Sequence, residues 1–88
     1  MDRNLKKTIA KNFRNTELGF LRIKNNLQIV NFTDSETEEY LKEIILSTPL
    51  ECIETRGKNY YFSCAQFNAI LTVNSYSLTI ITAKTIQV

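Results

Sequence analysis

Residues 52–64 constrain this chain most. Polar and apolar side chains alternate on both sides of Gly57-Lys58, and a glycine in first place of a two-residue turn is the mark of a type II′ β-hairpin. A turn of that kind fixes register, and register fixes which side chains share a face. The reading is a strand Cys52–Arg56 returning as Asn59–Cys64. Ile53 then opposes Phe62 and Thr55 opposes Tyr60 on one face, with Glu54 opposite Tyr61 and Arg56 opposite Asn59 on the other.

A second hairpin is expected from Phe67–Val73, a type I′ turn at Asn74-Ser75, and a strand from Tyr76 onward. That register places Val73 opposite Tyr76, Leu71 opposite Leu78 and Ala69 opposite Ile80. Thr72 would oppose Ser77, and Ile70 would oppose Thr79. One face of each hairpin is apolar and the other largely polar, which is the pattern of an antiparallel sheet covered on one side and wet on the other. The β-branched end, from Thr82 through Ile86 to Val88, extends the last strand in this reading with Ile80, Ile86 and Val88 at one parity. A long edge there offers itself to a second chain, giving a homodimer.

The cover comes from the first half. Leu5, Ile9 and Phe13 recur every four residues beside Lys6, Lys7 and Lys11, a narrow apolar stripe on a basic helix. Thr16 reads as the N-cap of a further helical stretch with Leu18, Phe20, Leu21, Ile23 and Leu27 on its apolar side, ended by Asn25-Asn26. The pattern over residues 2–26 fits two helices or one bent helix. Gln28–Phe32 is a short apolar connection with strand-like character. Thr33 and Glu36 make a capping box for a helix reaching Ser47, stopped by Pro49. Its face is Tyr40, Leu41, Ile44 and Ile45, and Glu38 is placed to pair with Lys42. The fold class is therefore α+β: two or three N-terminal helices packed on one face of a four-stranded antiparallel sheet made of two hairpins. Its 88 residues suffice for one domain, 1–88.

Three stretches carry a resemblance. They are Thr16-Glu17-Leu18-Gly19 with Arg22-Ile23 and Asn26-Leu27; Ile53-Glu54 with Arg56-Gly57-Lys58-Asn59-Tyr60-Tyr61; and Leu71-Thr72-Val73-Asn74-Ser75-Tyr76-Ser77 running into Thr79-Ile80-Ile81-Thr82-Ala83-Lys84. Together, over about residues 16–84, they resemble a family of short bacterial proteins catalogued as a domain of unknown function. The resemblance implies a small bacterial protein and no particular activity.

Composition narrows the chemistry. The chain has no histidine, so triads and dyads that use one are excluded within a single copy, and the commonest general acid–base is missing. Gly19 and Gly57 are isolated, and no glycine loop cradles a phosphate. Cys52 and Cys64, read as small strand residues, do not form a zinc-ligand pattern. Glu36, Glu39 and Glu43 lie along one side of the acidic helix, where a solvated surface is the ordinary explanation. Neither metal nor cofactor is expected. No apolar run has the length of a membrane span, and the charged start MDRNLKKTIAKNF lacks the apolar core of a signal peptide, which leads us to expect a cytoplasmic protein.

Two surfaces remain as candidate sites. The first is the polar sheet face: Glu54, Arg56, Tyr61, Ser63, Thr72, Ser77 and Thr79. The second is basic: Arg3, Lys6, Lys7, Lys11 and Arg14, in a first 24 residues that carry +5 against −3 for the rest. The expected function is non-enzymatic binding or regulation through protein–protein contact, in a protein of bacterial or mobile-element (phage) origin, such as an inhibitor of a larger host or defence protein. The alternatives are a metal-independent ribonuclease-like toxin built on the sheet face, with Arg56 on the phosphate, Glu54 as base, and Tyr61 or Lys58 as acid, and a nucleic-acid-binding protein that grips phosphates with the basic helix.

Overall fold

The computed structural model describes residues 1–86. Three helices come first, α1 (Arg3–Asn12), α2 (Glu17–Asn26) and α3 (Asp34–Ser47). Four strands follow, β1 (Ile53–Arg56), β2 (Asn59–Cys64), β3 (Ala69–Asn74) and β4 (Ile80–Thr85), paired antiparallel in the order β1-β2-β3-β4. The helices pack on one face of the sheet: α3 against β2, α2 against β4, and α1 against α3. Residues 2–26 thus form two helices, and the α+β architecture is the one expected.

Each helix begins on a side-chain cap. Asp2 Oδ1 accepts the Leu5 N–H at 2.7 Å, and Thr16 Oγ1 accepts that of Gly19 at 2.9 Å. Thr33 and Glu36 bond reciprocally in a full capping box. α2 ends in a Schellman turn, with the Ile29 N–H on the Lys24 carbonyl at 2.8 Å and Gln28 in the left-handed region at φ 60°. That turn consumes residues 28–29, so the 28–32 connection is not a strand.

The core joins Ile9 and Ala10 of α1, Ile23 and Leu27 of the α2 end, Leu41, Ile44 and Ile45 of α3, and Phe62, Cys64, Ala69, Leu71, Val73, Ile80 and Ala83 of the sheet. Tyr40 is half-buried between the edges of Phe32 and Phe67. Leu18 and Leu21 stay 58% and 60% exposed, so the apolar side of α2 is narrower than its sequence pattern implies. Cys52 lies in a single turn of 3-10 helix (Leu50–Cys52) and is exposed, while Cys64 is buried; both are free thiols. Glu38 and Lys42 do not form an ion pair: among the described residues the close pairs are Lys24–Asp34 and Arg56–Glu54.

The first hairpin keeps its expected register, with Ile53↔Phe62, Glu54↔Tyr61, Thr55↔Tyr60 and Arg56↔Asn59, and Gly57 takes φ 58°. The second does not. Asn74 and Ser75 form no type I′ turn. The Asn74 carboxamide oxygen instead accepts the N–H groups of Tyr76 and Ser77, both at 2.9 Å, and Leu78 turns left-handed at φ 59° to close a longer loop on the Asn74 carbonyl. A type I′ turn needs positive φ at two successive residues, which serine resists, whereas Asn readily binds amides two and three positions on. β4 therefore starts at Ile80 rather than Tyr76. β3 pairs with it as Ala69↔Thr85, Ile70↔Lys84, Leu71↔Ala83, Thr72↔Thr82 and Val73↔Ile80, with a bulge at Ile81. Val88, expected to share the strand's parity, lies outside the described residues.

Candidate functional site

Alternation along each strand sends one set of side chains into the core and the other to the open face. The registers align Glu54, Tyr61, Thr72 and Thr82 in one row across all four strands. A second row holds Ser63, Ile70 and Lys84, and a third Arg56, Asn59 and Asn74. Glu54, Arg56, Tyr61, Ser63 and Thr72 thus share the face assigned to them from sequence. Thr72 is only 8% exposed, sunk between its neighbours in the middle of the row.

Ser77 and Thr79 do not belong to the face. Ser77 sits in the β3–β4 loop, where its hydroxyl meets Asn74 Oδ1 at 3.2 Å and Thr79 Oγ1 at 3.0 Å. Thr79 precedes β4. Their places opposite Thr72 and Ile70 are taken by Thr82 and Lys84. These two residues were missed, although a signal for them exists. An unbroken alternation from Ile80 would bury Thr82 and Lys84, a conflict that one bulged residue removes.

The centre of the site is on β1 and β2. The Arg56 guanidinium carbon lies 4.3 Å from the centre of the Tyr61 ring, and its Nε is 3.2 Å from Glu54 Oε2. Glu54 and Arg56 are two residues apart on one strand, Tyr61 is directly opposite Glu54, and the hairpin register alone brings all three together. Both charged side chains are 67% exposed, so the cluster stands on an open surface rather than in a cleft. The ion pair contributes little to stability at that exposure; the guanidinium stands within cation–π range of the ring.

The basic residues divide into separate roles. Lys6 is half-buried, and its ammonium donates to the Leu46 carbonyl at 2.9 Å and the Thr48 carbonyl at 3.0 Å, at the end of α3. Arg3, Lys6 and Lys7 line a groove of about 430 Å³ with Leu46, Pro49, Leu50 and Glu51. Lys11 borders a smaller cleft of about 190 Å³ with Glu38, Glu39 and Lys42. Arg14 falls beyond α1. Its N–H donates to the Leu78 carbonyl and its carbonyl accepts from Ile80, both at 2.9 Å, a short parallel bridge at the start of β4.

A four-stranded antiparallel sheet covered on one face by three helices, with an exposed polar cluster on the other, defines a small α+β protein. The chain belongs to the family described as protein of unknown function (DUF3781), whose model matches residues 7–84. The match begins nine residues before the motifs at 16–84 and so takes in Lys7, Lys11 and Arg14. No curated protein and no solved structure matches. Among the described residues no helix is long and apolar enough to cross a membrane, and no three metal-ligating side chains gather.

Proposed function

We propose that this is a non-enzymatic binding or regulatory protein of bacterial or phage origin. It acts by protein–protein contact through its open sheet face and inhibits or modulates a larger partner. The observation that carries the reading is the Glu54–Arg56–Tyr61 cluster. Tyrosine and arginine dominate the energetics of protein interfaces. Here the arginine is already held on the ring, which lowers the ordering cost of binding. Lys84 at the other side of the face and half-buried Ile70 between them add a second cation and an apolar step to the Glu54–Arg56 pair.

The same cluster contains the groups a ribonuclease would use, but its carboxylate and guanidinium are joined to each other on a surface open to water. General-base work requires a carboxylate free to take a proton within reach of substrate. The experiment is affinity capture from the native host with the wild-type chain and with Arg56→Ala and Tyr61→Ala. The reading expects a discrete partner that both variants lose while remaining folded. Growth arrest with RNA degradation on induced expression, abolished by Glu54→Ala, would replace it with the toxin reading.

A second reading is favoured by the groove between α1 and the end of α3. Arg3 and Lys7, beside Leu46, Pro49 and Leu50, suit an acidic segment, of protein or nucleic acid, while Lys6 is bound to the end of α3 and Glu51 stands on the same rim. A gel shift with single-stranded RNA that weakens with salt, and with Arg3→Ala/Lys7→Ala, would support nucleic acid; a shift unaffected by those changes would remove it.

A further inference from the structure

We propose that the turn end of the sheet binds single-stranded nucleic acid, with a base stacked on Tyr76 and the flanking phosphates on Lys58 and Arg14. Charge is the first observation. After Glu54 the sequence holds no acid, and its charged side chains are Arg56, Lys58 and Lys84. Glu54 itself is bound to Arg56. The end of the sheet formed by the Gly57-Lys58 turn and the β3–β4 loop is therefore basic. The second observation is how that loop presents Tyr76. The Asn74 carboxamide oxygen accepts the Tyr76 and Ser77 amides, and the Leu78 N–H closes on the Asn74 carbonyl, all at 2.9 Å. Leu78 holds a left-handed backbone at φ 59°, which costs a leucine free energy, while its side chain packs on the core. Two residues earlier, Tyr76 is left 79% exposed, more than any other large apolar side chain among the described residues.

The loop lies between two cations. On the side of β1 and β2 the Ser75 N–H donates to the Lys58 carbonyl at 2.8 Å, and at the start of β4 the Arg14 N–H donates to the Leu78 carbonyl at 2.9 Å. Lys58 and Arg14 are both exposed. The acids closest to them in sequence are Glu54, already paired, and Glu17 at the start of α2, so three cations stand against two acids. A ring on a fixed loop with a cation to either side suits a nucleotide chain, which carries each flat base between successive phosphates. A protruding ring reaches the face of a base only where that base is unstacked and unpaired, which selects single strands over duplex. Tyr76, Lys58 and Arg14 belong neither to the Glu54–Arg56–Tyr61 cluster nor to the groove holding Arg3 and Lys7. Nucleic-acid binding here is therefore tested separately from recognition of a protein partner.

The experiment is fluorescence anisotropy of labelled oligouridylate and oligothymidylate, each of about twelve nucleotides, titrated with the full chain at low salt. Binding in the micromolar range that weakens with salt is expected. Tyr76→Ala should weaken it about tenfold, and Tyr76→Phe should retain it. Lys58→Ala and Arg14→Ala should each flatten the salt dependence, by roughly 0.7 in the slope of log K against log salt. Arg3→Ala/Lys7→Ala should leave binding unchanged. All five positions are exposed, and circular dichroism melts confirm that each variant folds. The proposal is overturned by no binding up to several hundred micromolar, by a duplex bound as tightly as the single strand, or by equal binding of Tyr76→Ala and wild type. Arg56 and Tyr61 are intact in every variant, so capture of a protein partner should not change with them.

Discussion

Replacing Lys6 by methionine tests how the basic half of the chain is used. α3 has no basic residue in its last turn, yet its final carbonyls need donors. The Ile44 carbonyl is taken by the Thr48 N–H at 3.1 Å and hydroxyl at 2.7 Å. The Leu46 carbonyl, together with that of Thr48 just beyond, is taken by the Lys6 ammonium arriving from α1. Hydrogen bonds to a charged donor contribute about 1.5–3 kcal/mol, and a cation at a helix C-terminus up to about 2 kcal/mol when partly buried. Fixing the long side chain costs about 1–2 kcal/mol. Methionine keeps the stem and removes the charge, so Lys6→Met should destabilise by about 1–2 kcal/mol, or about 4–8 °C in Tm for each kcal/mol. Urea denaturation followed by circular dichroism measures it, and added salt should narrow the difference. Lys7→Met is the control: Lys7 is exposed and should change stability by no more than about 0.5 kcal/mol. If the two variants melt alike, Lys6 is an ordinary surface charge and the α1–α3 capping argument fails.

Gln28→Gly should stabilise by up to about 1 kcal/mol in the same assay, because Gln28 sits left-handed at the Schellman position that glycine occupies without strain. Gly19→Ala should not deliver the usual helix gain of about 1 kcal/mol. A Cβ there would come 2.9 Å from Thr16 Oγ1 and displace the cap, so the gain should reappear when Thr16→Ala is already present. Asn74→Ala removes the acceptor of two loop amides and should cost about 1–3 kcal/mol; a neutral result would mean the β3–β4 loop is held by its backbone alone.

The parts of the fold that were legible in the sequence are those set by local chemistry with one solution. Gly57-Lys58 admits one tight turn, so the whole first register followed from two residues. Thr16 and the Thr33/Glu36 pair announced their helices because those side chains have backbone amides within reach three residues on. Asn74 was legible as a turn residue but not as a particular turn. Its side chain and its backbone compete for the same amides, and the winner decides whether the next strand begins at Tyr76 or Ile80. Lys6 was invisible for a different reason: its partners are two carbonyls some forty residues away, and nothing in the spacing of a basic helix reports on the end of another.

The error at Asn74 altered the chemistry of the candidate site, not merely its outline. Two hydroxyls, Ser77 and Thr79, were expected beside Thr72 and Ile70, and such a face would have carried one ion pair and otherwise only neutral groups. The longer loop and the bulge at Ile81 bring Thr82 and Lys84 there instead. The face then runs from a carboxylate paired with a guanidinium on β1 to the Lys84 ammonium on β4. A catalytic reading gains nothing, since Lys84 is separated from Glu54 by the two intervening strands. A binding reading gains a second charged contact spaced across the sheet, which restricts a partner to surfaces that present an acid opposite β4 and an acceptor opposite Arg56. Lys84→Ala should accordingly weaken capture of a partner without changing the thermal melt, and unaltered capture would remove Lys84 from the contact surface.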